Sequence, residues 1–200
     1  MNIKESIKQF LPKYLSETDQ KNLLQELDSF PDNIDARFFT TTLKDEAIIF
    51  QGDGISGLQI SNFPDSNIFT AKCIITANTC DIDSSNKRLF DSRLTYCPLL
   101  SLEKYVANLQ NKGIAKIKIN DHVSAIKSQK ITQILYIPSN GKLPETIVFL
   151  DRINNCKVSV IDKENISENR LFTLSNYGFY MLLLKLSISF TRIGESVNRS

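Results

Sequence analysis

The sequence predicts an α+β chain: a small, partly open antiparallel β-barrel flanked by N-terminal helices and a long apolar C-terminal helix. Three observations carry this. Short β-branched and aromatic runs, "RFFTTTL", "EAIIFQ", "ISGLQI" and "AKCIITA", follow one another between residues 38 and 76, with Gly, Pro or Asp between them. A second pair of strands, "ITQILYIP" and "ETIVFLDRI", is joined by "SNGKLP", which has hairpin chemistry. Helical stripes bracket both regions.

In order along the chain, Ile3, Ile7, Phe10 and Leu11 recur at helical spacing, ahead of Pro12. A second helix opens at "SETD", where Ser16 caps and Asp19 reaches back, and its stripe is Leu23, Leu24 and Leu27. Residues 1–33 thus form a helical segment, and 34–200 the barrel with inserted helices, the whole being one compact unit. Gly52, Gly54 and Gly57 mark tight or curled backbone. "RLTYCPLLS" reads as a strand stopped at Pro98, and Ser101 caps the helix "LEKYVANLQ". "KIKIN" is brief, and "DHVSAIKSQK" reads as a further turn or two of helix. "CKVSVID" reads as a strand, and "KENISEN" as a solvated loop. The last helix, from about residue 175 to 190, is apolar on more than one face, so it is buried in the domain or in a homodimer. Lys185 interrupts its apolar run and points to a wet face, which makes Leu183 the core position and Met181 and Leu182 the contact positions.

Composition bounds the function. The 200 residues are 42% hydrophobic and 23% charged, ordinary for a globular chain. The net charge of +2 offers no basic excess for nonspecific nucleic-acid binding. Basic residues gather modestly at Lys87, Arg88 and Arg93, and again from Lys112 to Lys130, which suits an ordinary solvated face. The four cysteines form no CxxC pair and His122 is the one histidine, so no structural zinc is expected. Disulfides and cofactors are not expected either. No run is long enough to span a membrane, and the start reads as no signal peptide, which places the protein in the cytoplasm.

The candidate site is a polar rim at two strand ends: Gln51, Asp53, Thr76, Asn78, Thr79, Cys80 and Asp81. Several chemistries meet there. Cys80 could act as a nucleophile with His122 as base, or be a small buried hydrophobe. Asp53, Asp81 and Asp83 could hold Mg²⁺ or serve as acid and base, but Asp beside Gly or Asn commonly makes Asx turns instead. The glycine run is no phosphate loop, because no Gly-Lys-Ser/Thr ending and no helix follow it.

The strand ending in "QGD", the run "CIITANTCDI", then "LTYCPLLSLEKY", "ILYIP" and "LSNYGFYMLLLKLSISFTR" resemble bacterial proteins grouped with the PemK/MazF-like small barrels. The resemblance spans residues 51–192. It implies a toxin–antitoxin, phage-defence or mobile-element setting, and a metal-independent ribonuclease as one activity. Gly52-Asp53 matches the family's strand start and Thr76 its hydroxyl residue. The family's Arg-Pro does not match, since Thr70 or Ala71 stands there and Lys72 is the nearest cation. The expected function is therefore a binding or adaptor component with a polar recognition rim. The alternatives are an endoribonuclease and a structural dimerisation module. The partners expected are a protein encoded nearby, RNA or DNA, and a second copy through the C-terminal helix.

Overall fold

A computed structural model describes residues 36–83, 85–161 and 165–190, with Thr18 and Lys21, which are helical and exposed. The rest of the expected N-terminal helices, 1–33, lies outside the described residues. Among them the chain forms β1 (Phe39–Thr40), β2 (Gly54–Ser61), β3 (Ile68–Ile75), α1 (Thr79–Ile82), β4 (Arg93–Ser101), α2 (Leu102–Asn111) and α3 (Lys116–Lys127). β5 (Ile134–Ile137), β6 (Thr146–Phe149), β7 (Asn154–Lys157), α4 (Ile166–Asn169), β8 (Arg170–Leu174) and α5 (Asn176–Phe190) follow.

The class is α+β. The strands make one antiparallel sheet in the order β1-β8-β2-β3-β4-β6-β5, with β7 also paired to β4, and this path does not close on itself. β3 shows why the central run reads as continuously apolar. Cys73 and Ile75 enter one cluster with Ile55, Leu94 and Tyr96, while Ile74 enters the other with Cys97, Leu135 and Leu182. A third cluster, around Leu102, Ile126 and Ile147, lies beneath α2 and α3.

Several expectations need correction. "EAIIFQ" is no strand: residues 41–50 are turns and bends. The reason is Arg170, whose Nη1 takes the carbonyls of Leu43, Lys44 and Glu46 and whose Nη2 takes that of Ile48, so this backbone curls around a guanidinium. β4 does not stop at Pro98. Thr95 O accepts from Thr76 N, so odd positions of β4 hydrogen-bond towards β3 and Pro98 faces the other flank. There the neighbour changes from β7, opposite residues 93–96, to β6, opposite residues 99–101, and no partner requires the missing N–H.

"KIKIN" and "DHVSAIK" belong to the single helix α3, which buries Ile119 and Ile126. "CKVSVID" leaves the ladder after Lys157 for a 3-10 turn, Val158–Val160. "KENISEN" contains α4, whose Ile166 is 1% exposed, and the sequence reading missed β8 entirely.

The reading of the last helix also changes. Met181 and Leu182 are buried against the sheet, whereas Leu183 is only half-buried. Lys185 marks no wet face: it is buried, and its Nζ donates to Gln129 O at 2.8 Å and to Ile131 O. Residues 128–131 follow the end of α3, and their carbonyls supply the solvation that water would otherwise give.

Candidate functional site

The two strand-end stretches meet side by side. Gly52 N donates to Ile75 O at 2.8 Å, and Ile75 N donates to Asp53 O at 2.9 Å. Gly52 takes φ +91°, and a Cβ there would come within 2.8 Å of Leu174, so both the turn and the packing favour glycine. Gln51 fastens the second stretch to the first. Its backbone N–H donates to Thr79 Oγ1 at 3.0 Å, and its Nε2 donates to Thr76 O at 2.7 Å. Thr76 Oγ1 bonds onwards to Thr95 Oγ1 at 3.1 Å.

Asn78, Thr79, Cys80 and Asp81 then form the opening of α1. Asn78 is its N-cap, with Oδ1 accepting from Cys80 N at 2.9 Å, so this residue makes the local turn that its type favours. Cys80 is exposed, which sets aside the buried-hydrophobe reading. Its carbonyl is taken by Asn86 Nδ2 at 2.8 Å and by Arg88 Nη2 at 3.3 Å. Asp81 is exposed and pairs with Arg88 at 2.7 Å.

Asp53 departs from the rest of the rim. It is 0% exposed, with Oδ2 accepting from Phe50 N at 3.0 Å and from Arg170 Nε at 3.1 Å. Burial raises its pKa above the ordinary carboxylate value, against the opposing pull of the Phe50 N–H and Arg170. Oδ1 has no hydrogen-bond partner among the described residues. A carboxyl with a raised pKa could serve as an acid, but this one is sealed away from any substrate. Its role is to hold the β2 and β8 ends together. The Asx-turn reading is half right, because the bond to Phe50 N closes a local turn, but the ion pair is the larger feature.

The catalytic alternatives fare unevenly. Cys80 and His122 make no hydrogen bond to each other; the His122 Nε2 lies 3.0 Å from the Tyr105 hydroxyl, between α2 and α3. Asp53 is buried, Asp81 is bound to Arg88, and Asp83 Oδ1 accepts from Ser85 N at 2.9 Å. Among the described residues no group of His, Cys, Asp and Glu could hold a metal ion. Lys72, the cation nearest the expected Arg-Pro position, is exposed on β3. No helix among the described residues is long and apolar enough to cross a membrane.

Sequence reasoning missed Arg170, the residue on which the rim is built. A signal was there: "RLFTL" alternates in the manner of a strand, and a cation at the head of an apolar strand needs a carboxylate or carbonyls if it is enclosed. No family model matches the chain, and no curated protein matches it.

Proposed function

We propose that this chain is a binding or adaptor component of a bacterial phage-defence or toxin–antitoxin-like system, working in the cytoplasm. Its open antiparallel sheet is then a partly open barrel of PemK/MazF type, and the strand-end rim is a recognition edge. One observation carries the reading: the Gln51 bonds to Thr79 and to the Thr76 carbonyl. They make the rim a prebuilt, rigid ledge that presents Asn78, Cys80 and Asp81 to solvent while Asp53 is sealed below. Such a ledge recognises a partner without ordering cost, and it lacks a nucleophile bonded to a base. The exposed lysine at the place of the family's Arg-Pro weighs the same way.

Two measurements test this. Purified protein incubated with a mixed RNA pool in EDTA should leave it intact; cleavage that Lys72→Ala abolishes would replace the adaptor reading with an endoribonuclease. Co-expression with the product of the neighbouring gene should give a stable complex on gel filtration, weakened by Asn78→Ala with Asp81→Ala. A complex indifferent to both substitutions would remove the rim from the interface.

A further inference from the structure

The α2–α3 hairpin carries a second surface, independent of the rim and of the reading given to it. An open trough of about 690 Å³ lies between the two helices, lined by Val106 and Gln110 from α2 and by Lys116, Ile119, Val123 and Lys127 from α3. The α3 residues recur at the spacing of one helix face. A shallower extension shares Val106, Gln110, Val123 and Lys127 and continues to Pro144 and Glu145. The floor is apolar, with Ile119 3% exposed and Val106 and Val123 half-buried over the cluster beneath.

The lip is cationic. Between Glu103 and Asp121 the chain carries Lys104, Lys112, Lys116 and Lys118 and no acidic residue. All four are exposed, and among the described residues none makes an ion pair. That differs from Arg88, Lys127, Lys157 and Arg170, each of which has a carboxylate within 4 Å or less. At the turn between the helices Ile117 is 70% exposed and Ile114 42% exposed, so apolar surface is set among the unpaired lysines. Charged positions facing the trough from the opposite side are Glu103 and Glu145, and Glu145 is already held by Lys127 at 2.5 Å and by the Tyr136 hydroxyl.

We propose that this trough docks an acidic amphipathic helix of a partner protein. An apolar stripe at i, i+3, i+4 and i+7 fills a concave apolar floor, and flanking Glu and Asp meet the unpaired lysines. The ten residues of α2 make a wall about 15 Å long, enough for two to three turns of a guest helix. A membrane surface is flat and would leave the floor unfilled.

The test uses the full-length protein and a fluorescein-labelled synthetic peptide of about eighteen residues, roughly five helical turns. The peptide carries Leu on one helical stripe and Glu elsewhere; a control keeps its composition with the Leu positions scattered. Anisotropy at low salt should show saturable binding of the striped peptide and at least tenfold weaker binding of the control. Lys116→Glu with Lys118→Glu, both at exposed positions and verified as folded by circular dichroism, should weaken binding by about tenfold, ~1.4 kcal/mol. Val123→Ser should weaken it as well. Absence of saturable binding, equal binding of the control, or indifference to charge reversal each overturns the proposal. So does lysine-dependent binding to phosphatidylserine vesicles in place of the peptide. Self-association abolished by the same charge reversal would assign the trough to a second copy of the chain and overturn it too.

Discussion

Arg170 lies against Asp53 in the closed interior where β2 and β8 meet. Its Nε reaches Oδ2 at 3.1 Å, with the side chains 3% and 0% exposed. The rest of the guanidinium is spent on four carbonyls of residues 43–48, so one side chain both neutralises a buried acid and shapes the loop that leads to the rim.

Removing either partner leaves the other charged and enclosed. Arg170→Ala and Asp53→Ala are each expected to cost about 3–5 kcal/mol in urea denaturation. The two should differ in a second respect: Arg170→Ala also frees the 43–48 carbonyls, so amide hydrogen exchange in residues 41–50 should accelerate more than in Asp53→Ala. Equal stability of wild type and Arg170→Ala would refute the structural role given to the pair.

Lys185 should make stability rise with pH over an alkaline window. Burial lowers its pKa from the ordinary 10.5 to about 8. Between these values the unfolded chain holds a proton that the folded chain has released, so unfolding becomes harder as pH rises from about 8 to 10.5. The neutral amine still has two N–H groups for the Gln129 and Ile131 carbonyls. Buried thiols and phenols act in the opposite sense in that range. The measurement is therefore the difference between wild type and Lys185→Met, which should grow in favour of wild type by up to about 3 kcal/mol across the window. A flat difference would contradict it.

The four thiols should separate by rate. Cys73 and Cys97 are fully buried, and burial pushes both up to about 12, so neither forms thiolate at neutral pH. Cys80 is exposed and Cys156 half-buried. A chromogenic disulfide reagent at pH 8 should react with one thiol rapidly, with Cys80→Ser deleting that phase, and reach Cys73 and Cys97 only in denaturant. Rapid reaction of all four would mean that the two clusters are open.

Gln51→Ala and Asp81→Ala should behave differently at the rim. Gln51 loses a part-buried bond to the Thr76 carbonyl, for about 0.5–1.5 kcal/mol. Asp81 loses only an exposed ion pair with Arg88, worth no more than about 1 kcal/mol. Thermal melts of the two variants should show the larger drop for Gln51→Ala. The reverse order would place the structural weight on α1.

The elements with strong local signals were legible before any tertiary information. The alternation and β-branching of "AKCIIT" led to β3, the Ser101 cap and its apolar stripe to α2, and the greasy run to a helix over residues 176–190. The adjacency of the Gln51 and Asn78–Asp81 stretches was also within reach, because both end strands with short polar side chains. Other features depend on partners distant in sequence. Asp53 beside Gly reads locally as a turn, and only Arg170, 117 residues on, makes it a buried ion pair. Residues 46–51 have strand propensity, yet their carbonyls turn to that same guanidinium. Lys185 reads as solvated until two carbonyls 54 and 56 residues earlier are seen to enclose it. Propensity and periodicity report what each residue prefers among its neighbours in the chain. Whether a charge is exposed or enclosed depends on which distant groups replace its water, and that is decided only when the sheet brings them together.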